Sequence, residues 1–93
     1  MSETYYAVMT DGGDLLQFNY DSKYEDTYVE ICNNSIFEIS KALFIKREHA
    51  EYELTQILSD PSYDTSEIEN INFERLEIVK VEVNFGFKIK WII

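Results

Sequence analysis

The chain has 93 residues, 45% of them hydrophobic, and sets 18 Asp and Glu against 8 Lys and Arg for a formal net charge of −10. That apolar share, with seven Tyr and six Phe, suffices to fold a single domain over residues 1–93 and excludes disorder as the origin of the acidity. The charge argues against direct binding to nucleic acid or to an anionic membrane surface, because both need clustered Lys and Arg.

The opening Met1-Ser2-Glu3-Thr4 lacks the basic start and apolar run of a signal peptide, and no stretch reaches the roughly 20 apolar residues of a membrane helix, so a soluble cytoplasmic protein is expected. Residues 4–9 are rich in strand formers and run into Asp11-Gly12-Gly13-Asp14, a tight-turn signal. Residues 15–20 follow as a second strand, with Leu16, Phe18 and Tyr20 on one face, so a hairpin is expected. The polar residues 21–26 turn the chain into a third strand, 27–32, where Val29 and Ile31 share a face. An antiparallel meander is the simplest arrangement of the three. Cys32 is the only cysteine, which excludes an intramolecular disulfide and a multi-cysteine zinc site, and fits a reducing compartment.

Residues 33–58 are helix-prone, with two readings of the start: a capping box at Ser35 and Glu38, or a short strand over 41–45 before the helix. From Arg47 to Leu58 the pattern is helical: Ala50, Leu54, Ile57 and Leu58 form an apolar stripe, while Glu48, Glu51 and Glu53 lie off it. Residues 59–72 form a long connection, expected as exposed loop with one helical turn near 65–70 capped by Asp64. From Val79 to Ile93 every odd position is apolar, which means one long strand bent at Gly86, or two strands whose phase survives a break. The expected fold is α+β: an antiparallel sheet of four or five strands with one main amphipathic helix packed on one face.

Catalytic motifs are weak. Asp11-Gly12-Gly13-Asp14 is flanked by acids that would repel phosphate, so it reads as a turn. Cys32 and His49 are the only possible Cys–His pair, and nothing in the sequence orients either; a buried thiol and an exposed imidazole account for them better. Paired carboxylates are abundant in so acidic a chain and therefore carry little information about acid–base chemistry. His49 and Glu53, four residues apart on the helix, make an incomplete metal site. Asp60, Asp64, Glu67 and Glu69 resemble a calcium loop in composition alone: the turn glycine is missing, and the twelfth position counted from Asp60 is Ile71. Binding, not catalysis, is the expected mode of action, with no cofactor.

The charge is uneven: −7 over residues 1–40, +3 over 41–47, −8 over 48–77 and +2 over 78–93. Solubility alone accounts for many acidic surfaces. A basic partner surface is the functional complement, because opposite potentials steer encounter and select partners. Seven tyrosines are too many for a thin core to bury, and exposed Tyr beside carboxylates suits a protein interface; Tyr24 and Tyr63, in polar loops, are the expected exposed ones. The predicted contact set is Glu48, Glu51, Glu53, Asp60, Tyr63, Asp64, Glu67 and Glu69.

The succession of short strands, the turn Thr10-Asp11-Gly12-Gly13, the charged helical segment 46–54 and the closing strand 76–83 resembles small accessory proteins of phages that infect low-GC Gram-positive bacteria. The abundance of Ile, Asn, Lys, Glu and Tyr is consistent with an AT-rich genome. The resemblance implies an anti-CRISPR or anti-restriction protein in the cytoplasm of the infected or lysogenic host, a stoichiometric inhibitor of a nucleic-acid-binding defence enzyme such as a type II RNA-guided nuclease. No residue-level motif is shared, so no binding residue is carried over. Two other classes stay open: a homo-oligomeric module, a dimer for instance, paired through the strand ending in Trp91-Ile92-Ile93, and a metal-dependent binding protein built on His49.

Overall fold

The computed structural model describes residues 2–32, 40–84 and 89–92. In chain order the elements are β1 (Ser2–Met9), β2 (Leu16–Asp21), β3 (Asp26–Ile31), helix α1 (Arg47–Ser59), β4 (Tyr63–Asp64), β5 (Glu77–Asn84) and β6 (Ile89–Ile92), with single 3-10 turns at Ser40–Ala42, Ser66–Ile68 and Phe73–Arg75.

Ala7, Val8, Met9 and Thr10 are all buried, as are Leu15, Leu16 and Gln17. Successive strand residues point to opposite faces, so burial at every position requires cover on both sides. The structure supplies it with two cores. Ala7, Met9 and Leu15 pack with Cys32, Ala42, Val79 and Val81 in one, and Val8 and Leu16 pack with Val29, Ile57, Ile68 and Leu76 in the other. Two apolar neighbours in sequence, Leu15 and Leu16, therefore serve different cores.

The class is α+β with one helix among the described residues, but the strands form two three-stranded sheets, ordered β1-β5-β6 and β2-β3-β4, and not a single antiparallel sheet of four or five. The turn closes as expected: Thr10 N–H donates to Asp14 O at 2.8 Å, Asp14 N–H to Thr10 Oγ1 at 3.2 Å, and Gly13 takes a positive φ of 88°. Beyond it, β1 and β2 pair only through the bridge Met9–Leu15, so the meander is broken. β1 instead pairs antiparallel with β5, Tyr5 opposite Val81 and Ala7 opposite Val79, while β2 pairs with β3, Phe18 opposite Val29. A continuous meander would keep β1 and β2 in one sheet with a single covered face, and Val8 or Met9, Leu15 or Leu16 would then face water.

The C-terminal alternation belongs to a fold-back. β5 and β6 pair antiparallel, Val81 opposite Trp91 and Val83 opposite Ile89, so odd positions meet odd positions and the phase survives the break. Gly86 lies outside the described residues, as do Ser35 and Glu38 of the expected capping box. The short strand expected over 41–45 is reduced to one position: Phe44 exchanges both backbone hydrogen bonds with Tyr6, each 2.8 Å, on the side of β1 away from β5.

α1 packs on β1 and β5 through buried Ala50 and Ile57, with Leu54 half-buried. Leu58, expected on the same stripe, is 57% exposed. At about 100° per residue it lies about 80° round from Ala50, off the flank of the stripe that Leu54 and Ile57 hold within about 40°. The connection after the helix is less open than expected, because Ile68 in the second 3-10 turn is buried and fastens it to the second core.

Leu16→Ala should cost about 3 kcal/mol, whereas Leu58→Ala should stay within about 0.5 kcal/mol of the parent; urea denaturation of the two variants measures the contrast. Gly13→Ala, which forces a Cβ into the left-handed region, should cost about 1 kcal/mol in the same assay.

Candidate functional site

The acidic segment runs from the first turn of α1 to the 3-10 turn at Ser66–Ile68, and its side chains divide by what already holds them. Glu48 and Glu69 stand exposed. Glu51 is paired with Arg47 one helical turn away, Nε to Oε1 at 3.0 Å, with both side chains half in water. Such a pair contributes about 0.3–0.5 kcal/mol and leaves the carboxylate accessible.

Tyr63 and Glu53 are the main correction to the predicted contact set. Tyr63 is half-buried, its ring edge-on to Phe18 at a centroid distance of 6.5 Å, and its hydroxyl donates to Glu53 Oε2 at 2.6 Å. Burial and then the bond to Glu53 push the Tyr63 hydroxyl well above its ordinary value. Tyr63 therefore fastens β4 to the helix and is not one of the exposed tyrosines. Tyr24 is exposed as expected, and the others are Tyr20 and Tyr52. The misreading has a simple origin: β4 is two residues long and pairs in parallel with β3, Thr27 opposite Tyr63, which no local alternation announces.

Asp60 and Asp64 build turns. Asp60 Oδ1 accepts from Ser62 N–H at 2.9 Å; Asp64 Oδ1 accepts from Ser66 N–H at 3.1 Å and from its hydroxyl at 2.7 Å. These donors favour the ionised form. The Ser62 amide, helped by its hydroxyl, holds Asp60 below the usual carboxylate range, and the Ser66 hydroxyl, helped by its amide, does the same for Asp64. Glu67, exposed, interacts with the Tyr28 hydroxyl, which partial burial and then that bond raise, with Glu30 and Asp64 adding to the effect.

Glu30 and Tyr28 were not singled out in the sequence, yet the register brings them to this region. Glu30 lies opposite Gln17 and accepts from its amide and, at 3.4 Å, from that of Asn19; Tyr28 lies opposite Asn19 on one side and Asp64 on the other. The polar alternation of Gln17 and Asn19 with Tyr28 and Glu30 was the available signal. Gln17 is buried, and its carbonyl oxygen has no hydrogen-bond partner.

His49 is exposed on the first turn of α1, and Cys32 is buried in the first core. Glu53, the other half of the expected metal pair, is engaged by Tyr63. Among the described residues no group of three or more His, Cys, Asp or Glu side chains is placed to hold a metal ion, and no helix is long and apolar enough to cross a membrane. No protein-family model matches the chain, and no curated protein and no solved structure matches it.

Tyr63→Phe keeps the ring in place and deletes the bond to Glu53, so a loss of about 1 kcal/mol is expected. The bonded form is the protonated one and its pKa is raised. Its contribution is therefore complete below pH about 10 and fades as pH rises through the folded-state value; in alkaline spectrophotometric titration the variant should lose the most alkaline tyrosine step. The Asp60 and Asp64 turns have the opposite sign. Their lowered pKa values favour folding above about pH 4 and that contribution is lost as pH falls through the folded-state values, so the Ser62 and Ser66 amides should stay protected from hydrogen exchange at pH about 5 and lose protection at stronger acid.

Proposed function

We propose that the protein is a stoichiometric inhibitor that binds the basic, nucleic-acid-holding surface of a host defence enzyme, with a type II RNA-guided nuclease as its target. An enzyme of that kind holds its heteroduplex in a positively charged channel and reads it through backbone geometry. A folded body with carboxylates at fixed positions can occupy such a channel in place of phosphates. The observation that carries the reading is the segment from Asp60 to Glu69, where Asp60 and Asp64 are oriented by their own turns and Glu67 stands beside them, Asp64 and Glu67 exposed and Asp60 partly so. Carboxylates ordered beforehand lose less conformational freedom on binding than free side chains do. On this reading the chain performs no catalysis, needs no cofactor and does not touch nucleic acid itself.

A second reading, self-association through β6, has one observation in its favour: β6 is the edge strand of its sheet, with no strand beyond it among the described residues. Light scattering on a size-exclusion column distinguishes the two, since a monomer over the working concentration range removes the second.

The first reading is tested by capture on immobilised type II nuclease. Retention should be strong at low salt, fall as salt is raised, and be displaced by guide RNA. The combined variant Asp60→Asn, Asp64→Asn and Glu67→Gln keeps the hydrogen-bond acceptors and removes three charges, and should bind at least roughly tenfold more weakly. No retention of the nuclease at low salt would sink the proposal, and an unchanged affinity in the variant would clear the loop of a role.

A further inference from the structure

Three tyrosines are more than half exposed: Tyr20 at 68%, Tyr24 at 67% and Tyr52 at 59%. Two of them border a single group of rings. Phe18 lies 5.9 Å from Phe44 and 6.5 Å from Tyr63 between centroids, and all three are only half-buried. Tyr20 follows Phe18 by two residues on the same face of β2, in the cross-strand row Tyr20, Thr27, Tyr63. Tyr52 comes from α1, one residue before the Glu53 that Tyr63 bonds, and its hydroxyl accepts from Gln56 at 2.9 Å. An aromatic centre with polar edges is the composition of a protein-binding patch, since large rings give much contact area for little lost freedom.

The charge around the patch selects the occupant. α1 brings Glu48 and Glu53, with Glu51 already paired to Arg47, and the β2–β3 connection brings Asp21, Glu25 and Asp26 against Lys23. Lys46 is the other base at this end of the helix. The bond from Tyr63 reaches Glu53 at Oε2, which fixes a carboxylate beside the rings. The molecule already makes one contact of the kind required: the Lys23 ammonium lies 5.3 Å from the centre of the Tyr24 ring.

We propose that the surface formed by Phe18, Tyr20, Phe44, Tyr52 and Tyr63, with Glu53 at its edge, receives an arginine-bearing segment of the partner protein, the guanidinium stacked on an exposed tyrosine and paired with Glu53. Arginine fits better than lysine because its planar, weakly hydrated head stacks on a ring while donating to a carboxylate. The inference rests on the basic-partner reading above and names a second contact surface for it.

The test is an amide chemical-shift titration of the full chain with an arginine hexapeptide and a lysine hexapeptide at low salt. The arginine peptide should shift Phe18, Tyr20, Tyr52, Glu53 and Tyr63 most and bind about threefold more tightly than the lysine peptide. The double variant Tyr20→Ala, Tyr52→Ala should weaken the arginine peptide by about fivefold or more, whereas Tyr20→Phe, Tyr52→Phe should retain it; unchanged shifts elsewhere establish that both fold. Equal binding of the two peptides, shifts spread evenly over residues 48–77, or an alanine variant that binds unchanged would overturn the proposal. Failed nuclease capture with these shifts intact removes the nuclease and leaves the surface, and capture undiminished in the alanine variant removes the surface and leaves the nuclease.

Discussion

Burial of two consecutive stretches on both faces, Ala7 to Thr10 and Leu15 to Gln17, is the constraint from which the rest of the fold follows. A small domain has little apolar material, and the usual economy is to cover one face of one sheet. Here the tight turn at residues 10–14 joins two strands that are buried on both faces beside the turn and then part company into separate sheets. Cys32 and Ala42, with Leu43, line the core on one side, and α1 with Ile68 and Leu76 the core on the other. Because the same short segments line both cores, a change at either is felt in backbone that the other shares.

That arrangement also explains how the acidic surface is held. The chain from the end of α1 to β5 closes the second core through Tyr63, Ile68, Ile71 and Phe73. Its carboxylates are carried on a track pinned at several points. Asp60 and Asp64 accept from amides two residues ahead, and Glu53 accepts from Tyr63. Part of the acidity is therefore held in place by turns and by one inter-element bond, and the rest stands on side chains without such support. Net charge does not separate the two, and hydrogen bonding does.

Local features were legible in the sequence to the extent that local physics decides them. The helix was expected from Arg47 to Leu58 and spans Arg47–Ser59; the third strand was expected at 27–32 and spans Asp26–Ile31. The glycine turn and the phase of the C-terminal alternation were equally readable, because each depends on residues a few positions apart. Strand partners were not, since β1 chooses β5 over β2 for reasons that lie seventy residues away. The run Leu15-Leu16 was the available hint: neighbouring apolar residues in a strand signal two covered faces. Tyr63 was misplaced for a related reason, as a two-residue parallel strand is defined by its partner and leaves no periodic trace.

The two edges of the β1-β5-β6 sheet are not equivalent. At β1 the outward N–H and C=O of Tyr6 are already bonded to Phe44, while β6 has no strand beyond it among the described residues. A sheet with two open edges can add copies without limit, as fibres do. A sheet with one blocked side has a single docking line, and antiparallel pairing there by a second copy uses up the line on both molecules. Strand addition at β1 would have to displace the Phe44 bridge, so β6 is the more open of the two edges of this sheet.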